Sequence, residues 1–544
     1  MVDDPVMAND HRNIALIGAT DGVPYFKDKH RGCWPFVFRV ANLPDSLSLL
    51  TTNCHVSLFA GRDYLGHDPE SKAVTTYVRE PKSLHPHLMI ICDDLYAAYT
   101  NGHVITDFSV PTELNSSTFR CNAVLLFWTA DYPGMGYSRG MVDSGRHCCQ
   151  WCNFDTGPMD KSIFRCVVGQ FRYRPANHHF RVDPSFGKTE IREPPGIRTH
   201  AEVVREGERN TEYSGSQNGE NAPWKASGCK HVSPLTYLPG MDVVWDMGPD
   251  MMHIVEGALQ RHILALLKGD RVPAKPNRER MKKDMTDSEW RRIKMAWKKV
   301  RDDHATWKLS NKDQRKLDTR SKWLGGEPGW IRSGLAVCRR TGSFKAHDWL
   351  KIAEGSWRYL FHDLFPDDPD NRKEDAVFAL LSCIQDLLKA YSHDDRDDQL
   401  NQVSTMSHTD MAQLKVKTAE NLSIYEKGIP RTELSPIFHI ILHLPDAIYR
   451  WGCVRNFWCF WGERYNSQHV LHSSVLHICP TLTCCTYMSD TSSFSFVEHV
   501  CWSSNISVPN YLHVVHICTT LLLHVSDISV GHICSACRTY LSNV

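Results

Sequence analysis

No stretch of this chain is apolar enough to cross a membrane: no uninterrupted apolar run reaches the ~18 residues that a helical span needs. Residues 1–13, MVDDPVMANDHRN, lack the apolar core of a secretory leader and are polar and acidic instead. Net charge is absent too. The 62 Lys and Arg are matched by 62 Asp and Glu, which argues against a protein held to a polyanion by bulk charge and leaves only a local basic face or a separate module for that task. The chain has 20 cysteines but not the shortness of a disulfide scaffold; at 544 residues it fits a reducing compartment, with thiols and one zinc site. Lysine also stops, at Lys427. From residue 471 onward Cys, His, Ser and Thr dominate, and the triplet His-Ile-Cys recurs at His477, His516 and His532. Such a tail reads either as a Cys/His metal-binding tract or as repeat or out-of-frame sequence appended to a decayed gene. It is expected to be disordered or artefactual.

What is present is ordinary for a globular protein: 42% hydrophobic and 23% charged residues, enough to bury a sizeable core. Residues 12–26, 33–41 and 54–60 are short apolar runs joined by turn residues, the pattern of a β-meander. Leu84, Leu88, Ile91, Leu95 and Ala98 recur at helical spacing, and residues 118–130 form a strongly apolar strand. The resulting order βββαβ opens an RNase H-like sheet. From about 136 to 240 the chain is rich in Gly, Pro, His and Arg, with a loop expected over 207–229. Helices are expected at 250–268, within the charged stretch 276–320, at 346–362 and at 374–392, so 257–430 reads as an all-α block. Residues 435–470 return to apolar and aromatic character.

Several residues can carry chemistry. Asp21 closes an apolar strand, either as a metal-binding carboxylate or as part of an Asp-Gly hairpin turn. Asp131 closes a second strand in the same way. Two acids at neighbouring strand ends repel, and a divalent cation removes that cost. Cys149 and Cys152 form a Cys-x-x-Cys pair that suits tetrahedral zinc and needs two further ligands, for which Cys166, His178 and His179 are the nearby candidates. A redox pair is the rival reading, without the βαβ surroundings it needs. Asp250 and His253, at i and i+3 of a helix start, share one face, either as ligands or as an N-cap with a buried histidine. Glu463 follows the aromatic run 457–461, as a site acid or as a surface partner for an arginine.

In this order the pieces resemble the CACTA (En/Spm-type) DNA transposase family over about residues 12–466. The residues that carry the resemblance are Asp21-Gly22, Cys33-Trp34-Pro35, Asn42-Leu43-Pro44, Glu80-Pro81-Lys82, Leu126 to Gly134, the Cys149/Cys152 pair, Gly169 to Arg181, Asp250 to His253, Lys345 to Asp348, Phe438 to Leu444, and Phe457 to Tyr465. No single motif is specific; their number and order are. The resemblance implies an α/β fold, an RNase H-like mixed sheet interrupted by a zinc-knuckle-like insertion and a large all-α insertion. The core would comprise 1–135 and 431–470, the Cys/His insertion 136–240, the helical insertion 241–430 and the tail 471–544. It further implies a DDE triad of Asp21, Asp131 and Glu463 on two Mg²⁺ (or Mn²⁺) ions, and a structural Zn²⁺ held by Cys149, Cys152 and His178; a family histidine is Gln170 here, a poor zinc ligand, so either Cys166 takes its place or the site is broken. The activity would be metal-dependent cleavage and strand transfer of DNA at transposon terminal repeats and target DNA, in the nucleus, with no membrane partner and with a homo-oligomer compatible. Beyond Tyr465 the family pattern gives way to the tail, so the copy reads as truncated or decayed. Two other functions compete: a catalytically inactive transposase-derived DNA- or protein-binding scaffold, and a zinc hydrolase built on His253, Glu256 and the cysteine pair. Should DNA be bound, residues 278–322, dense in Arg and Lys around Trp290 and Trp297, are a candidate contact or else a solvated helical face.

Overall fold

The apolar run that opens the chain becomes the centre of a mixed sheet. In the computed structural model the described residues are 5–24, 32–43, 54–60, 62–67, 74–79, 83–106, 118–154, 196–216, 221–272, 275–276, 286–324, 336–365, 368, 371–390, 406–430, 433–459, 461, 500–501 and 514–517. Strand β1 (Ile14–Thr20) is followed by the short β2 (Val23–Pro24), by β3 (Gly32–Val40) and by β4 (Cys54–Ala60). β3 pairs antiparallel with β1, β2 and β4, so the expected meander forms. Two hairpins that the sequence pattern did not suggest follow, β5 (Arg62–His67) with β6 (Val74–Arg79) and β7 (His103–Thr106) with β8 (Thr118–Cys121), separated by the helix His85–Thr100. β9 (Ala123–Thr129) then returns beside β1 and runs parallel to it. The expected strand 118–130 is thus two strands broken at Asn122. The side chain of Asn13 accepts from the Asn122 backbone N–H at 2.8 Å, and the Asn122 amide donates to the carbonyl of Tyr99 at 2.8 Å.

From the tail, the described pieces β10 (Val500–Cys501) and β11 (Val514–Ile517) extend the sheet outward from β4, giving the order β10-β11-β4-β3-β1-β9. On the other flank the structure is helical. The helix Met251–Glu256 continues through a π-helical stretch, Gly257–Leu264, into Ala265–Lys268. Asp287–Trp307, Asn311–Leu324, Arg372–Lys389 and His408–Gly428 are the longest of the helices that follow. Residues 207–229 depart from the expected loop. The helix His200–Thr211 enters it, started by a capping box between Thr199 and Glu202, and a short helix Trp224–Ser227 closes it. No helix among the described residues is long and apolar enough to cross a membrane.

Core packing explains why β1 sits in the middle. Gly18 lies opposite Trp128 on one side and Phe38 on the other. The Trp128 ring occupies the space a side chain would take, packed within 5.9 Å of the Phe36 ring and 6.0 Å of the Phe38 ring, while its Nε1 donates to Ser138 Oγ at 3.1 Å. A Cβ at position 18 would stand 2.5 Å from Trp128 Cε3, so Gly18→Ala is expected to destabilise the fold by about 1–3 kcal/mol. Urea unfolding of the variant checks this; an unchanged midpoint would show that Trp128 has room to move.

Candidate metal centre and strand-end carboxylates

Asp21 and Asp131 follow β1 and β9 directly. Those strands are parallel neighbours in a register that pairs Ala19 with Thr129. Both acids therefore leave the sheet at the same edge, one strand apart, where adjacent strands run about 4.8 Å from each other. Asp131 has a structural task as well. It is the N-cap of the helix Tyr132–Arg139, its carboxylate accepting from the Gly134 N–H at 2.7 Å.

The loop after that helix carries Cys149 and Cys152, both buried. It packs against the helix start: Gln150 Nε2 donates to the Tyr132 carbonyl at 3.2 Å, and the Trp151 and Tyr132 rings stack at 6.3 Å. Arg139, wholly buried, fixes the loop from behind. Its guanidinium donates to Gln150 Oε1 at 3.1 Å and to the Val244 carbonyl at 2.9 Å, and lies 4.7 Å from the Trp151 ring centre. Burial holds the guanidinium pKa down at about 9. Arg198 holds the other side, donating to the carbonyls of Cys149 at 3.2 Å and Cys152 at 3.0 Å.

Two histidines complete this corner. His439 and His443 lie one helical turn apart, on the helix Pro436–Ile440 and the 3₁₀ turn Ile441–His443. Cys152 Sγ is 3.2 Å from His439 Nε2, Cys149 Sγ is 3.3 Å from His443 Nε2, the two sulfurs are 3.4 Å apart and the two nitrogens 3.4 Å. All four residues are buried and their ligand atoms lie within 4.8 Å of one another. Around a tetrahedral zinc ion, with Zn–S near 2.3 Å and Zn–N near 2.0–2.1 Å, neighbouring ligand atoms stand about 3.3–3.8 Å apart. The donor set fits that ion in number, type and spacing. Burial opposes ionisation of Cys149, but hydrogen bonding from Cys152 and the nearby His443 and His439 charges outweigh it and bring this thiol well below its ordinary value. Burial and the Cys149 charge push Cys152 well above. Among the described residues the cysteines are unbridged, in keeping with a thiol rather than a disulfide role.

Of the other expected ligands, Cys166 and His178 lie outside the described residues, as do Gln170 and His179. His439 and His443 were visible in the sequence only as part of the Phe438–Leu444 motif. Their i, i+4 spacing is the signal that could have singled them out as a ligand pair.

Asp250 and His253 are found in the N-cap arrangement. Asp250 accepts from the backbone N–H groups of Met252 at 3.2 Å and His253 at 3.1 Å, and pairs with the His253 ring. Its Oδ1 also accepts from the Cys459 N–H at 2.9 Å. Asp250, His253 and Cys459 form a second cluster of ligand-type atoms. Burial and the Asp250 charge drive the Cys459 thiol well above its ordinary value. Thr129 Oγ1 lies 3.1 Å from Cys459 Sγ and donates to the Phe457 carbonyl at 2.9 Å. The segment Phe457–Cys459 is thereby fastened to β9 two residues before Asp131. Glu463 lies outside the described residues; its described neighbour Trp461 is buried, with the Arg39 guanidinium of β3 5.4 Å from its ring centre.

The arrangement is one of strand-end carboxylates beside a buried Cys₂His₂ cluster. Over residues 2–209, which include both aspartates and both cysteines, the chain matches the model of a family described as Transposase family tnp2. The match supports a transposase function. No curated protein matches the chain.

The cluster generates a direct expectation. The purified full-length protein should carry about one zinc ion per chain by elemental analysis, and Cys152→Ser or His443→Ala should lose it and lower the unfolding temperature. Zinc-free protein with undiminished stability would make the cluster a hydrogen-bonded core instead.

Proposed function

We propose that the chain is the catalytic region of a CACTA-type (En/Spm-like) DNA transposase, cutting and joining DNA at an RNase H-like site. The observation that carries this reading is the placement of Asp21 and Asp131 after two neighbouring parallel strands, β1 and β9, with β3 and β4 continuing antiparallel on the other side. A carboxylate pair at such an edge is poorly tolerated without a cation. Glu463 is the third acid of the proposed triad. It supports the reading that the chain reaching residue 463 is tied to β9 through Thr129 and to β3 through Arg39, whose Nη2 donates to the Asn456 carbonyl at 2.9 Å.

Two divalent ions, magnesium or manganese, would there supply activation of a water or 3′-hydroxyl and stabilisation of the leaving oxygen in an in-line phosphodiester displacement. The three carboxylates contribute the negative charge and the oxygen ligands. The Thr129 and Asp250 contacts hold the segment Phe457–Cys459, a few residues before the third acid, against β9 and the helix start at Asp250. The Cys149, Cys152, His439 and His443 set would hold zinc in a closed four-ligand site, structural in kind because no ligand position stays open. DNA, as element ends and target, is the partner, and the nucleus the place of action. A catalytically inactive scaffold is the second reading, favoured by one observation: the Asp131 carboxylate already serves as a helix cap.

Asp131→Asn separates the two, because asparagine caps a helix as well as aspartate does. Asp131→Asn and Asp21→Asn are expected to lower Mg²⁺- or Mn²⁺-dependent nicking of duplex DNA on the order of 10²–10³-fold, as removal of one preorganised electrostatic group does elsewhere, with zinc content and thermal stability kept. Nicking that persists in both variants, or that the unaltered protein never shows with either metal, defeats the catalytic reading.

A further inference from the structure

The helical part carries a surface that the proposed chemistry does not use. In the helix Asp287–Trp307, Arg291, Lys294 and Lys298 are exposed and Arg301 half-buried, following one another at three- or four-residue steps. At that spacing side chains line one side of a helix. Trp290 and Trp297 alternate with them: Lys294 Nζ lies 5.2 Å from the Trp290 ring centre, and the Arg301 guanidinium 4.9 Å from that of Trp297. The same helix buries Val300, His304 and Trp307 on its inner side, so its fold does not depend on the basic stripe.

The helix also carries four acids, Asp287, Glu289, Asp302 and Asp303. Glu289 belongs to the capping box with Thr286, and Asp302 pairs with Arg301 at 2.6 Å. Arg291, Arg292, Lys294 and Lys298 have no acidic partner among the described residues. The next helix, Asn311–Leu324, adds exposed Lys312, Arg315 and Lys322. Its Trp323 is 74% exposed, the most of any large apolar side chain described, and Met295 on the first helix is 67% exposed. In a chain of zero net charge, Arg291, Lys294 and Lys298 on one side of a helix make a local excess of positive charge.

We infer that the helix Asp287–Trp307, through Arg291, Lys294 and Lys298, is a docking surface for the phosphate backbone of duplex DNA, read without regard to base sequence. The inference rests on the transposase reading for its choice of polyanion. Charge complementarity supports it, since phosphate contact by Lys and Arg supplies nearly all of sequence-independent affinity for DNA.

The test uses the full-length protein and its triple variant Arg291→Ala, Lys294→Ala, Lys298→Ala. Affinity for a mixed-sequence duplex is measured by fluorescence anisotropy across a salt series. The unaltered protein is expected to bind with a steep salt dependence. The variant should bind at least tenfold more weakly at low salt, with a logarithmic salt slope shallower by up to about 0.9 for each phosphate contact removed. The loss should be equal for unrelated duplex sequences, with thermal stability unchanged. A triple variant with unchanged affinity and slope overturns the proposal, as does a protein whose stripe binds phosphatidylserine vesicles in preference to duplex DNA. The outcome is separable from that of the catalytic reading. Nicking retained with an unchanged slope sinks only the docking surface, while a slope lost in the variant of a protein that never nicks sinks only the catalysis.

Discussion

Two cysteines that follow one sheet strand meet two histidines 287 and 294 residues further along the chain. Everything between them, the rest of the Cys/His region and the whole helical part, is a loop closed at this corner. The entropy of closing so long a loop rises only slowly with its length, so a single strong fastening is enough to make a large insertion tolerable. A structural zinc site can supply it, since apparent binding energies of about 10–16 kcal/mol reach folding directly. The cysteines pack on the helix that Asp131 caps, and the histidines precede the segment that Thr129 fastens to β9. The corner therefore brings both ends of the insertion back to the same side of the sheet, next to β9.

The helical part has a fastening of its own. Glu433, 3% exposed, accepts from Arg271 Nε at 2.8 Å and pairs with His262 Nδ1 at 3.0 Å, while His262 Nε2 meets Ser435 Oγ at 3.1 Å. Burial opposes ionisation of Glu433, but His262 and Arg271 outweigh it and keep the carboxylate below its ordinary range. Though Ser435, His262 and Glu433 are joined in the order of a hydrolase relay, the arginine on the carboxylate and the burial of all three mark a lock between elements rather than a site. At Gly257 the π-helical stretch approaches so closely that a Cβ would stand 2.4 Å from Ile437 Cδ1. This brings the helix that starts at Asp250 against the one that bears His439, and so links the lock to the metal corner.

Local pattern was legible in the sequence and long-range pairing was not. The runs at 33–41 and 54–60 became β3 and β4 because alternating apolar residues need no partner to announce a strand. The Asp-Gly and Asp-Tyr-Pro strand ends were legible for the same reason. The β5–β6 hairpin was not, since Arg62–His67 carries little apolar alternation, and of the β7–β8 hairpin only Thr118–Cys121 fell within an expected strand, its pairing with His103–Thr106 unannounced. The cysteine pair announced zinc by its spacing, but the choice among histidines spread over 29 positions depends on which helix the fold brings back to it. Proximity in sequence offered Cys166, His178 and His179, and the family resemblance selected His178, all outside the described residues; the described structure brings His439 and His443 to the pair. Cys459 gave no signal at all, because a lone thiol in an aromatic run looks like core packing until the backbone N–H beside it is found bonded to Asp250.

Asp131 shows why neither the catalytic nor the scaffold reading follows from geometry alone. A helix N-terminus favours a carboxylate through its unpaired N–H groups and its dipole, typically by about 0.3–1 kcal/mol, so a strand-end aspartate can persist in a decayed copy for stability. Asp21 has no such helix after it; β2 follows within a few residues. Helix capping thus accounts for Asp131 in either reading, and that account does not extend to Asp21. Two carboxylates brought close repel one another, and a bound cation removes that cost. A metal role would draw on the pair, which the register of β1 on β9 places side by side, rather than on either acid alone.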